Sequence, residues 1–205
     1  MLYGIGLGPG DAELLTLKAV RIIKEVDEVI VPGRLAYSIV SKFREPRLVE
    51  FPMGKSEEVT ERLAEELASR CDEEDIAFAS LGDPAFYSTF QHVAEKVMEI
   101  NPSIEIEIIP GIPSFTSVFS RTMTFVDAPM LVTTAKMPEI EYITVLKASK
   151  PKEIYAKLKE EGIKRIILAE RIYMDSEKIE VFEDIENVPE KSDYFTLIVG
   201  RKENE

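Results

Sequence analysis

The chemistry open to this chain lies in three short glycine turns. Gly4-Ile5-Gly6-Leu7-Gly8-Pro9-Gly10-Asp11, Leu81-Gly82-Asp83-Pro84 and Pro110-Gly111-Ile112-Pro113-Ser114 each follow an apolar run and precede residues at helical spacing. Glycine leaves backbone N–H groups uncovered, and open parallel sheets bind ligands at the carboxyl edges of their strands. Three such turns predict a shared cleft for a small molecule with a carboxylate and an adenosine, although residue types alone do not choose among cofactors. Each turn also has a purely structural reading. Asp11 suits the cap of the helix that follows, and Asp83 with Pro84 suits an N-cap followed by the first helical position. A dinucleotide is excluded by spacing: counted from Gly4 or Gly6, the last glycine of Gly-x-Gly-x-x-Gly falls on Pro9 or Asp11. The ribose-binding acid is also missing, because Val31 runs into Pro32.

Nucleophiles and metal ligands are scarce. One cysteine and one histidine cannot build a zinc site, and a lone thiol fits a reducing, cytoplasmic setting. Cys71 precedes Asp72, Glu73, Glu74 and Asp75, whose charges raise a thiol pKa, so it is a poor nucleophile. His92 lies four residues beyond Ser88 on a predicted helix. It reads as a surface or packing residue, with proton transfer or cobalt ligation as the competing role.

The elements that must position these turns follow from periodicity. Strands are predicted at Leu2 to Leu7, Val29 to Val31, Leu48 to Phe51, Ile76 to Leu81 and Ile104 to Ile109. Helices lie between them: one through Leu14, Leu15, Ala19, Ile22 and Ile23, a short one at Tyr37 to Lys42, one from Glu57 to Ser69 capped by Ser56, and one at Tyr87 to Ile100. Alternation of this kind predicts a parallel sheet with crossover helices. A boundary is placed at Pro110 to Pro113, giving domains 1–111 and 112–205. The second half reads as a helix at Ser114 to Arg121, strands at Met130 to Thr134 and Ile143 to Leu146, a helix at Pro151 to Glu161 closed by Gly162, and strands at Arg165 to Ala169 and Tyr194 to Gly200. The fold class is α/β, in two domains with a cleft between them.

With 205 residues, 45% of them hydrophobic, the chain can bury a real core. A net charge of −13 repels phosphate backbones and argues against a nucleic-acid partner. Runs such as Phe195 to Val199 are too short to span a bilayer, and Met1-Leu2-Tyr3-Gly4 lacks a basic signal-peptide start. A soluble protein without a membrane partner is expected.

The ordered set Gly6-Leu7-Gly8-Pro9-Gly10-Asp11 with Glu13 to Ala19, then Gly82-Asp83-Pro84, then Pro110-Gly111-Ile112, resembles the tetrapyrrole methylases along almost the whole chain. Within that family, Phe51-Pro52-Met53, the run Gly82 to Phe90 with its Tyr87-Ser88-Thr89-Phe90 step, and Ala169-Glu170-Arg171 are similar to enzymes that methylate C20 of precorrin-2 or cobalt-factor II. The resemblance implies cobalamin biosynthesis, S-adenosylmethionine as methyl donor and a homodimer. It implies donor contacts at Leu81, Gly82, Asp83, Phe86, Ser88, Thr89, Pro113, Ser114, Ala135, Leu146 and Lys147, largely through backbone groups. Gly8, Pro9, Gly10 and Asp11 would face the tetrapyrrole. Arg34, Arg121, Lys136 and Lys55 are candidates for a basic rim holding its carboxylates, or are ordinary exposed cations. Tyr37 and Tyr87 shape the acceptor pocket or simply pack; Glu170 and Arg171 are further cleft candidates. The chain departs from the C20 pattern between Asp127 and Ile143, where it is shorter by what reads as a helix, which puts the contacts beyond Ala135 in question. Methylation at C11, at C17 or of uroporphyrinogen III is the neighbouring reading; a protein that binds a tetrapyrrole or adenosyl ligand without turnover is the reading from another class.

Overall fold

The structure is a computed structural model describing residues 1–52, 56–127, 129–132, 142–174 and 176–202. The chain divides into two compact units, Met1–Pro129 and Met130–Glu205. The division thus lies beyond the helix that follows the Pro110 to Pro113 turn, not at the turn itself.

The first unit alternates strand and helix: β1 (Leu2–Gly6), α1 (Leu17–Glu25), β2 (Glu28–Val31), α2 (Arg34–Val40), β3 (Arg47–Leu48), α3 (Ser56–Arg70), β4 (Ile76–Ser80), α4 (Thr89–Ile100), β5 (Ile106–Ile109) and α5 (Ser114–Thr122). All five strands run parallel in the order β3-β2-β4-β1-β5. Side chains alternate across each strand, so β4 sends Ile76 and Phe78 to one face and Ala77 and Ala79 to the other. Leu63, Leu67, Phe90 and Val97 of α3 and α4 cover the first face; Ile22, Ile23, Ile39 and Val40 of α1 and α2 cover the second. Gly4 is small for a reason of packing: a Cβ there would run into the Phe90 ring.

Helix α1 begins later than the apolar spacing predicts. Leu14 belongs to a single 3-10 turn, Ala12–Leu14, and Thr16 caps α1 by accepting from the Ala19 N–H at 3.1 Å. Asp11 caps that short turn instead, accepting from Glu13 N–H at 3.0 Å.

The second unit is a four-stranded antiparallel sheet, order β6-β9-β7-β8, formed by β6 (Tyr142–Leu146), β7 (Ile163–Glu170), β8 (Lys178–Phe182) and β9 (Thr196–Lys202). α6 (Pro151–Glu160) covers one face through Tyr155 and Leu158, which pack on Ile163, Ile166, Leu168 and Ile198. The buried Tyr155 hydroxyl donates to the carbonyls of Lys164 and Glu183. The strand predicted at Met130 to Thr134 is absent from its described part, Met130 to Val132.

Candidate active site at the strand edges

Strands β4, β1 and β5 are neighbours, so the turns that leave their carboxyl ends meet. Gly8 and Gly82 exchange two backbone hydrogen bonds: Gly82 N–H donates to Gly8 O at 2.7 Å, and Gly8 N–H to Gly82 O at 3.2 Å. Both glycines hold left-handed backbones, φ 69 and 71, which a side chain would strain. Gly111 presses against the same junction, where an added Cβ would lie 2.8 Å from Gly6 Cα and closer still to the Gly82 carbonyl. The glycines of the three turns form one interlocked floor of bare backbone.

Asp83 does not cap a helix. Its Oδ1 accepts from Ala85 N–H at 2.8 Å and its Oδ2 from Gly111 N–H at 3.1 Å, which ties the second turn to the third. The chain then runs through Phe86, whose N–H donates to Asp83 O, and Tyr87, before α4 starts at Thr89. Ser88 is the true N-cap, accepting from Phe90 N–H at 3.2 Å while its hydroxyl lies 3.2 Å from that of Ser80. An Asx turn competes locally with helix initiation, and here it wins because its second oxygen has a partner elsewhere in the fold.

Above this floor stands an apolar wall. Phe86 packs edge-on against Tyr87 at 4.8 Å between ring centres and against Phe115 of α5 at 5.6 Å; Leu81 is exposed beside Gly82. Tyr87 holds a left-handed backbone, φ 48, and is 64% exposed. Pro113 precedes α5 and supplies no side-chain cap, so the helix presents the N–H groups of its first turn, beginning at Ser114, toward the same edge. Glycine floor, aromatic wall and uncapped helix start fit a small ligand with an apolar body and an anionic end.

The candidate acceptor residues are dispersed. Gly10, φ 128, has open space around it, and Asp11 is exposed. Arg34 opens α2 at the same sheet edge, 88% exposed and 3.5 Å from Glu50. Arg121 sits in the last turn of α5, at the opposite end from Pro113. The Tyr37 hydroxyl is bonded to the Glu45 carboxylate, which raises its pKa.

In the second unit Leu146 ends β6 and is 69% exposed. Lys147 adopts a left-handed backbone, φ 55, and its ammonium lies 5.3 Å from the centre of the Tyr194 ring; hydrogen bonding to Tyr194 raises its pKa. Arg171, φ 52, binds Asp193 through Nη2 at 2.6 Å and Nε at 3.1 Å and stacks over Phe195. The Phe195 N–H and then Arg171 lower the Asp193 pKa. Glu170 accepts from the Thr196 hydroxyl at 3.4 Å. Asp193, Tyr194 and Phe195, just ahead of β9, are not among the expected site residues but contact two of them, Lys147 and Arg171; two adjacent aromatics were the available signal. Ala135, Lys136, Lys55 and Met53 lie outside the described residues.

Neither His92 nor Cys71 belongs to the turns. His92 is 70% exposed, 3.8 Å from Glu95, on a groove of about 510 Å³ between α3 and α4 that Glu57, Glu61 and Glu99 also line. Among the described residues no group of three or more His, Cys, Asp or Glu is placed to hold a metal ion. Burial of Cys71 pushes its thiol up to about 11, with Glu74 and Asp72 adding and the N-terminal amine and Arg70 opposing. The acidic neighbours act in the expected direction, but desolvation is the main cause.

With this geometry in hand, relatives are informative. The family profile described as Tetrapyrrole (Corrin/Porphyrin) Methylases matches residues 1–184. A probable cobalt-precorrin-2 C(20)-methyltransferase of Methanocaldococcus jannaschii is 30% identical across 98% of this chain and 96% of its own length. The cobalt-precorrin-2 C(20)-methyltransferase of Salmonella typhimurium is 31% identical over 58% of this chain and 56% of its own. Among solved structures, the cobalamin biosynthetic enzyme cobalt precorrin-4 methyltransferase shares the fold, with a TM-score of 0.51 and 18% identity over 98% of this chain and 94% of that one. The family takes its methyl group from S-adenosylmethionine. On the match to its first 184 residues and the near full-length relative, the chain belongs to the tetrapyrrole (corrin/porphyrin) methylases.

Proposed function

We propose that this chain methylates C20 of precorrin-2, or of its cobalt-containing oxidised form cobalt-factor II, with S-adenosylmethionine as donor, in cobalamin biosynthesis. The observation that carries the reading is the relative named for C20 methylation, which spans nearly the whole of both chains. The Tyr87-Ser88-Thr89-Phe90 step supports the same position.

The donor supplies an electrophilic methyl group on a sulfonium, open to in-line attack by a ring carbon, so orientation and exclusion of water are the protein's main tasks. The first unit has residues suited to both. Backbone groups of Leu81, Gly82, Asp83, Pro113 and Ser114, with Ser88 and Thr89 at the start of α4, would hold the donor. Phe86 would cover its apolar body and shed water. Leu146, Lys147 and Ala135 are proposed donor contacts from the second unit. Gly8, Pro9, Gly10 and Asp11, with Tyr87, would face the ring of the acceptor. Arg34 and Arg121 would pair with its carboxylates, which an otherwise acidic protein must still attract. A homodimer is proposed as the working unit.

Mass spectrometry of the product tests the reading. Incubated with cobalt-factor II and methyl-labelled S-adenosylmethionine, the protein is expected to add one labelled methyl per tetrapyrrole. Binding of both ligands without transfer would contradict the enzyme and leave a carrier.

A further inference from the structure

We infer that Asp83 is a positioning residue of the donor site: its carboxylate fixes the Gly82 turn against the Gly111 turn and does not itself touch the donor. The inference rests on the donor-site reading above and deepens it. Asp83 is half-buried, and each of its oxygens is aimed at a backbone N–H, Oδ1 at Ala85 and Oδ2 at Gly111. Its own carbonyl accepts from Phe86 N–H, and the carbonyl of the preceding Gly82 accepts from Gly8 N–H. The Gly111 bond is partly buried and the Ala85 bond lies at the surface, and together these groups join the ends of β4, β1 and β5.

The glycines make the arrangement sensitive to small shifts. Gly6, Gly82 and Gly111 approach so closely that no Cβ fits at Gly6 or Gly111. Interlocked turns of this kind have one separation at which all three meet, and a bond between charged carboxylate and backbone amide sets it more firmly than a neutral one. Without the carboxylate the Gly111 N–H loses its acceptor beside the tightest contact of the junction. The third turn and the start of α5, three residues beyond Gly111, are then free to move away from Gly82. The carboxylate thereby governs the spacing between the two stretches of backbone assigned to the donor, Leu81 to Asp83 and Pro113 to Ser114.

Two variants and two ligands test this. Asp83→Ala removes both acceptors, whereas Asp83→Asn keeps one of them. Calorimetry with S-adenosylhomocysteine and with 5′-methylthioadenosine, which lacks the amino-acid end, is expected to show both affinities falling together. The fall is roughly tenfold to a hundredfold for the alanine variant and smaller for asparagine. Urea unfolding monitored in parallel verifies that the protein titrated is folded, and a purely structural contribution would move that midpoint while leaving both affinities unchanged. Loss confined to S-adenosylhomocysteine would overturn the inference in favour of direct contact with the donor's ammonium. Amide hydrogen exchange needs no ligand: Gly111 is expected to lose protection in Asp83→Ala, and unchanged protection would refute the clamp. Failure of the wild-type protein to bind either nucleoside would instead refute the donor-site reading.

Discussion

Gly111 is tightly confined by backbone on two sides. It sits against Gly6 and the Gly82 carbonyl, so Gly111→Ala must push the first or second turn aside. The substitution is expected to cost about 1–3 kcal/mol in urea unfolding and to abolish measurable binding of S-adenosylhomocysteine, because overpacking at a rigid junction cannot be relieved by rotating a side chain. Unchanged stability and affinity would show that the turns are not interlocked. His92 gives the contrasting expectation. It is exposed on the groove between α3 and α4, which Thr89 also lines, and His92→Ala should keep kcat within about twofold of wild type, since proton transfer by a positioned side chain is worth about a hundredfold or more. A larger loss in the folded variant would place the imidazole in the reaction.

At the scale of elements, stability at the amino ends of the strands depends on ion pairs among Glu28, Arg47, Glu66, Arg70 and Glu74. Arg70 reaches Glu28 at 2.7 Å, Glu66 at 2.8 Å and Glu74 at 2.5 Å, and Arg47 reaches Glu66 at 2.7 Å. Burial pushes the Glu66 carboxyl up, but hydrogen bonds from Arg47 and Arg70 outweigh it and hold the pKa below the ordinary value; Arg70 does the same for Glu74. A carboxylate whose folded pKa is depressed contributes stability above its unfolded pKa and loses it as pH falls through the folded one. Stability is therefore expected to decline below about pH 4.5, the ordinary glutamate value. Arg70→Ala should remove roughly 1–2 kcal/mol at pH 7 and flatten that acid decline, because the partly exposed network is worth more than a surface pair and less than a buried one. An unaltered pH profile in Arg70→Ala would contradict the assignment. In the second unit, Tyr155→Phe leaves the carbonyls of Lys164 and Glu183 without their shared donor and is expected to cost about 1–3 kcal/mol in thermal or urea unfolding.

Element type was legible wherever periodicity was long, as in α3, α4 and the apolar runs of β1 and β4, and the misplacements have local causes. Leu14 and Leu15 continue the helical spacing of α1 backwards, so the pattern concealed the Thr16 cap that starts the helix. Asp83-Pro84 carries the composition of a helix start, yet the acceptor geometry that decides its use depends on Gly111, far away in the chain. Such a pairing leaves no periodic trace. β8 has no such signal: Ile179 and Val181 are exposed while Glu180 and Phe182 are half-buried, so its apolar residues do not mark the covered face. The glycine turns were identifiable as a set because their spacing is chemical, whereas Tyr194 and Phe195 acquire meaning only once Lys147 and Arg171 are seen beside them.

For the whole molecule, a parallel α/β unit and an antiparallel unit with one covering helix are consistent with the α/β class expected from alternating strands and helices. No described helix is long and apolar enough to cross a membrane. The net charge of −13 sits awkwardly with a polycarboxylate acceptor, which makes local cations the natural place to test acceptor binding. Arg121→Glu is expected to raise KM for the tetrapyrrole roughly tenfold while leaving S-adenosylhomocysteine affinity unchanged, the size of one charge-assisted pair. An unchanged KM would assign the acceptor's carboxylates to other residues. Position on the ring is decided by carbon NMR of the product formed from cobalt-factor II and ¹³C-methyl S-adenosylmethionine. A single enriched methyl on C20 is expected; an enriched methyl on C11, C17 or any other carbon would rule out methylation at C20.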